Sequence, residues 1–255
     1  MNRLAWLIGL AFVGSALAAA SDHNNVDKER PLRFDDAYSI AYRSYEFQNG
    51  LRLDTFNRAR PVYNFRSELQ YGFAKNKDFS IGIEPFISSD SGKLVGNVAE
   101  LSYFEGVSRE IGNSPAFGYR IDAGLPISGG TGTEFRVRGI LTKTLNHYDK
   151  LHLNIDHYHS TSAAPGERQM RMGAILGYSN PMGYPKSFDQ TFLAELGFEE
   201  GVANGSGINS WVGFGLRKQV SATGVIDLGM QVDLHRTGVE MRSPARLTLG
   251  YSFNF

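Results

Sequence analysis

The run Arg246-Leu247-Thr248-Leu249-Gly250-Tyr251-Ser252-Phe253-Asn254-Phe255 closes the chain. Apolar side chains stand at 247, 249, 251, 253 and 255, and small or polar ones at the positions between. Successive side chains of a strand point to opposite faces, so this pattern predicts a strand with one apolar face and one polar face.

The same period recurs upstream. Phe79, Ile81 and Ile83 alternate with Ser80, Gly82 and Glu84. Phe117, Tyr119, Ile121, Ala123 and Leu125 alternate with Gly118, Arg120, Asp122 and Gly124. Met170, Met172, Ala174, Leu176 and Tyr178 alternate with Gln169, Arg171, Gly173 and Gly177, and Ile226, Leu228, Met230, Val232 and Leu234 with Asp227, Gly229, Gln231 and Asp233. Strands are predicted over 37–47, 61–73, 78–88, 96–108, 115–125, 134–144, 150–160, 168–178, 189–199, 209–218, 224–235 and 245–255. Asn49-Gly50, Ser91-Gly92, Pro165-Gly166 and Asn204-Gly205 read as turns between them. Glu105 and Lys143 fall on apolar faces, which suggests a bulge or a shifted register there.

At the other end, Met1-Asn2-Arg3 precedes an apolar stretch from Leu4 to Leu17 and small residues to Ala20. That is the order of an export signal, so 1–20 reads as a cleaved signal peptide. Residues 21–36 are polar and charged and read as a periplasmic N-terminal extension that could tuck into a barrel mouth; 37–255 reads as the barrel. No later segment has the ~18 consecutive apolar residues of a membrane helix. The chain has no Cys, so neither a disulfide nor a thiolate metal site is available. Its formal net charge of zero leaves no electrostatic footprint for nucleic acid.

An export signal followed by an even number of amphipathic strands predicts an all-β fold, a transmembrane antiparallel up-and-down β-barrel of twelve strands in a bacterial outer membrane. A soluble β-sandwich would also alternate. Tyr and Phe near the strand ends, as in an interfacial girdle, and the charge density of the opposite face favour the barrel. The polar face is then the lumen. It receives Arg43, Arg66, Arg120, Arg136, Arg138, Arg171, Arg217 and Arg246, and Glu68, Glu84, Glu100, Asp122, Asp156, Glu195, Asp227 and Asp233. Among these, Glu84, Glu100, Arg120, Asp122, Arg136 and Arg138 are the candidates for a constriction. Arginine pairs with carboxylates through a planar fork, so such a lumen is either closed by salt bridges or a narrow polar passage with charged rings. The balance of sign argues against strong ion selectivity.

The segment Arg30-Pro31-Leu32-Arg33-Phe34-Asp35-Asp36-Ala37 resembles the entry motif of the outer-membrane proteins named for the meta-pathway of phenol degradation. Members of that family share a signal peptide, an Arg-Pro-Leu-type start, about a dozen strands and an end like Leu249-Gly250-Tyr251-Ser252-Phe253. Acidic or Thr residues usually stand where this chain has Arg33 and Phe34. The resemblance implies a channel or transporter, often for hydrophobic or aromatic compounds. The terminal Phe255 resembles the signal that the outer-membrane barrel assembly machinery reads.

Barrel enzymes need a nucleophile or base, an orienting partner and an oxyanion stabiliser. His157 and His159 share a face near one strand end and read as interface residues rather than a site. His152 and Asp156 share the lumen face four residues apart, too far for a direct hydrogen bond. Ser128-Gly129-Gly130-Thr131-Gly132 lacks the ending of a phosphate loop. The reading is therefore not an enzyme but a channel or facilitated transporter for a small solute, without cofactor, metal or nucleic acid. Its partners would be outer-membrane lipid, the assembly machinery and that solute. A closed structural or adhesion barrel is the alternative, and a lipid-modifying hydrolase the third.

Overall fold

The computed structural model describes residues 22–55, 61–88, 92–128, 132–146, 148–183, 188–235 and 244–255; the predicted signal peptide and the core of the loop 128–134 lie outside them. Twelve strands follow one another: β1 Tyr45–Thr55, β2 Val62–Ala74, β3 Lys77–Ser88, β4 Leu94–Ser108, β5 Ala116–Ser128 and β6 Glu134–Thr144, then β7 Lys150–Ser160, β8 Met170–Met182, β9 Gln190–Glu200, β10 Ile208–Ser221, β11 Gly224–His235 and β12 Ala245–Asn254. Each pairs antiparallel with its sequence neighbours, and β1 pairs with β12, so the sheet closes without an edge. No strand needs a partner outside the barrel, which is the condition for crossing a bilayer.

The wall is apolar outside and polar inside. Ile81, Met172 and Leu228 face outward, each more than half exposed, whereas Arg138, Asp156, Arg217 and Asp227 face inward at 1% exposure or less. A water-soluble barrel would show the reverse. One rim, here the near rim, carries Tyr45 and the chain end, with Asn76 and the other short turns. The far rim carries the remaining loops. Outward aromatic rings cluster at the near rim: Tyr45 stacks on Tyr71 at 4.5 Å and on Phe255 at 5.6 Å, and Tyr103 lies 6.2 Å from both Phe73 and Tyr119.

Two expectations change. The first strand is Tyr45–Thr55, not 37–47, and Asn49-Gly50 lies in its middle rather than in a turn. Arg43 is therefore no lumen-wall residue; it lies before β1 at a φ of 65°. All the other charges assigned to the lumen do face inward. Lys143 needs no register shift, because Leu151 pairs with it in a regular ladder, whereas the β4–β5 ladder shifts just beyond Glu105, between Gly106 and Ser108. Their charges are met locally near the near rim. Glu105 accepts hydrogen bonds from the Tyr103 and Tyr119 hydroxyls at 2.7 and 2.8 Å and pairs with Lys77 at 3.0 Å, while Lys143 pairs with Glu110 at 2.6 Å.

Candidate functional site

The lumen is filled by the chain's own residues 22–44. The segment starts at the near rim, where His23 shares a 2.8 Å hydrogen bond with Thr191 Oγ1 and donates from Nε2 to the Phe188 carbonyl at 3.1 Å. It rises to an apex at Glu29–Arg33 and returns. On the way down the Ala37 N–H donates to Thr142 Oγ1 at 3.0 Å and the Ile40 N–H to Asp78 at 3.3 Å. It joins the wall where Arg43 N–H donates to the Gly72 carbonyl at 2.6 Å. The family-like motif Arg30 to Asp36 thus forms the apex and the first part of the return.

Five of the six constriction candidates meet this segment. On β5 and β6, Asp122 stands opposite Arg136 and Arg120 opposite Arg138. The first couple is a direct ion pair of 2.7 Å. The second is two like charges face to face, which a sheet disfavours. Asp35 of the inner segment resolves it, reaching Arg120 at 3.2 Å and Arg138 at 3.1 Å. Arg138 also forks onto Asp156 through Nε and Nη2 at 2.6 and 2.8 Å. Lys28, only 2% exposed, lies between Asp122 at 2.7 Å and Glu100, which it also contacts. Glu29 pairs with Arg136 and with Arg66 at 3.1 Å. Glu84 stands apart, nearer the far rim, with Asn64 and Arg52.

Three strands round from β6, Glu195 of β9 collects the apex. Its carboxylate accepts the N–H groups of Arg33 and Phe34 at 2.7 and 3.2 Å and the Trp211 indole N–H at 2.7 Å. Arg33 lies over the Trp211 ring at 4.4 Å and pairs with Glu199 at 2.8 Å. A third cluster secures the rising arm: Asp27 pairs with Arg30 and Arg217, each at 2.8 Å. Buried charges are tolerable when each has a partner, and here the partners come from the segment as often as from the wall.

Apolar packing completes the fit. Val26, Leu32 and Phe34 bury against Ile175, Leu193 and Trp211, and Ala37 buries against Phe104, Ala116 and Ile140. Two wall glycines make room by close approach. A Cβ at Gly177 would lie 2.5 Å from the Phe34 ring, and one at Gly229 would lie 2.5 Å from the Pro31 carbonyl oxygen. A polar cavity of about 90 Å³ remains toward the near rim, bordered by Asp27, Glu46, Gln48 and Asn254. It has room for a few waters.

Sequence reasoning missed Lys28, Glu29, Arg30, Arg33 and Asp35, all assigned to an extension, and also Trp211. A signal for them existed. Phe104, Ile140, Ile175, Leu193 and Trp211 are apolar residues at lumen parity, and a water-filled passage has no use for five of them.

The catalytic alternatives find little geometry. His157 is exposed on the outer face of β7 with His159 two residues on. His152 shares 3.0 Å hydrogen bonds with Thr142 and Ser179, but it is fully buried beside the Phe34 ring and, among the described residues, no carboxylate orients it.

No protein family and no curated protein matches this sequence. Solved structures do match the fold. An outer membrane channel from Pseudomonas putida F1 superposes with a TM-score of 0.62 at 12% identity, over 86% of this chain and 98% of that one. The NanC porin gives 0.60 at 11%, over 82% and 98%. The KdgM porin gives 0.55 at 12%, over 83% and 99%. At these identities the likeness is one of barrel architecture.

Proposed function

We propose that this chain is an outer-membrane channel or facilitated transporter for a small solute, closed at rest by its own residues 22–44. One observation carries the reading: what blocks the lumen is a segment joined to the wall strands at one end, not the wall itself. Ion pairs, side-chain hydrogen bonds and packing hold it, and a few of these can break without opening the barrel ladder. The apolar exterior requires lipid around the wall, and a predicted export signal ahead of it supports the outer membrane. The fold is shared with structures described as an outer membrane channel and as porins, which supports transport over hydrolysis. An aromatic or hydrophobic solute is supported by the resemblance of the Arg30–Asp36 motif.

A second reading, a permanently closed structural barrel, draws on the density of the buried ion pairs. A cross-link separates the two. The chain has no Cys, so Leu32→Cys with Gly213→Cys introduces a single thiol pair. A Cβ built at Gly213 lies 3.0 Å from Leu32 Cδ2, so the two positions are in side-chain contact. In planar bilayers the oxidised protein should be silent and the reduced protein should show intermittent openings from its closed resting state. Equal silence would favour the structural barrel. Equal conduction would show that the segment is not the gate.

Assembly has its own test. The Phe255 N–H donates to the Tyr45 carbonyl at 3.0 Å, and the Tyr45 N–H donates back at 3.3 Å, at the end of the closing seam. The Phe255 ring is 45% exposed and packs on Tyr45 outside the wall. Deleting Phe255 should lower the outer-membrane yield severalfold and raise periplasmic degradation, with little change in whatever barrel folds. Unchanged yield at normal expression would remove Phe255 as an assembly signal.

A further inference from the structure

We propose that Arg52 of β1 and Arg246 of β12 form a binding site for the carboxylate of a small organic anion in the far half of the lumen. The inference rests on the channel reading and names the class of solute that enters.

Most inward guanidinium groups are consumed. Arg138 and Arg136 each clamp a carboxylate through two nitrogens, and their side chains are 0% and 7% exposed. Arg52 and Arg246 differ on both counts. They share one carboxylate, Asp54, which each reaches through Nε alone, at 3.1 and 2.9 Å. Their outer forks make only long contacts among the described residues: Arg52 Nη1 to Glu84 at 3.4 Å and Arg246 Nη1 to Gln231 at 3.4 Å. Glu84 is itself bonded by Asn64. The two side chains are 23% and 25% exposed although they point inward, so solvent at the far mouth reaches them.

A guanidinium has five donors in a plane, and two adjacent forks match the oxygens of a carboxylate. The strand register supplies the adjacency: Asp54 pairs with Arg246 across the β1–β12 seam, and Arg52 lies two residues further in on the same face. The next inward pair on the seam is Gly50 with Gly250, and Arg30 of the inner segment lies across both. A Cβ at Gly50 would fall 2.9 Å from Arg30 Cδ, and one at Gly250 would fall 2.5 Å from Arg30 Nη1. Arg30 is held there by Asp27 and the Asn49 carbonyl, with Asp227 beside it, so it becomes available to an anion only when the segment moves.

Calorimetric titration of the detergent-solubilised protein tests the site without requiring an open lumen. Benzoate should bind saturably, and its neutral isostere benzamide at least about tenfold more weakly, as the loss of charge-assisted hydrogen bonds implies. R52Q/R246Q should weaken benzoate binding by at least about tenfold, and R52K/R246K by less, because lysine keeps charge but has no fork. The single variants Arg52→Gln and Arg246→Gln leave Asp54 one partner each and serve if the double variant does not assemble. Equal binding of benzoate and benzamide, or benzoate binding indifferent to R52Q and R246Q, would overturn the site. Bilayer conductance of the same preparations is read separately. Intact benzoate binding without conductance removes the channel reading and leaves the site standing.

Discussion

Replacing Arg136 and Arg138 together by alanine should raise conductance at least about tenfold, turn ion preference toward cations and lower the temperature at which the folded gel band is lost. The two guanidiniums neutralise Asp122 and Asp156 on the wall and Glu29 and Asp35 on the inner segment. Removing one partner of a buried pair costs about 3–5 kcal/mol, because the other charge is left in a poor solvent. Lost wall pairs weaken the barrel; lost pairs to Glu29 and Asp35 weaken closure. Even about 3 kcal/mol shifts a closed-to-open equilibrium more than about a hundredfold. Four carboxylates then face a lumen with two fewer positive charges, which gives the cation preference. Lysine at both positions should restore most of the ion preference but less of the closure, since it cannot fork onto Asp156. A folded double-alanine variant with unchanged conductance and selectivity would place the barrier elsewhere.

The wall was legible in the sequence because its physics is local. Each strand needs one apolar face for lipid and one polar face inward, and a period of two writes that into adjacent residues. Hence Arg120, Asp122, Arg136 and Arg138 could be placed on one face of neighbouring strands before any coordinates. The inner segment's contacts were not legible, because it has no period of its own; its tucking into a barrel mouth was expected, but not which of its residues meet the wall. Asp35 reads as one more polar residue until Arg120 and Arg138 stand opposite each other and require a shared anion. The displaced first strand has the same origin. Asn49-Gly50 is a strong turn signal by local chemistry, but Gly50 is in β1, where a Cβ would meet Arg30 at 2.9 Å. A glycine kept for close approach looks like a glycine kept for a turn when its neighbour in space is absent from the string.

Substituting Gly177 with leucine tests closure by shape rather than charge. Gly177 faces the lumen from β8, opposite His152 of β7 and Glu195 of β9, so its backbone ladder is unaffected by what its Cβ meets. What it meets is the Phe34 ring, 2.5 Å away and fully buried in the cluster of Leu32, Ile175, Leu193 and Trp211. A ring in a packed core cannot yield that distance, and overpacking of this kind costs about 1–3 kcal/mol or more. Displacing the segment is the available relief, because the wall is closed by hydrogen bonds all round. Conductance should rise severalfold with no change in ion preference, unlike the arginine variant. Phe34→Ala alone should also loosen closure, by removing the buried ring. Combined, Gly177→Leu and Phe34→Ala refill roughly the same space from the other side, so the double variant should conduct less than either single one. That non-additivity is the signature of direct contact. Additive effects, or a silent Gly177→Leu in a folded barrel, would mean that Phe34 does not pack on β8 when the channel is closed.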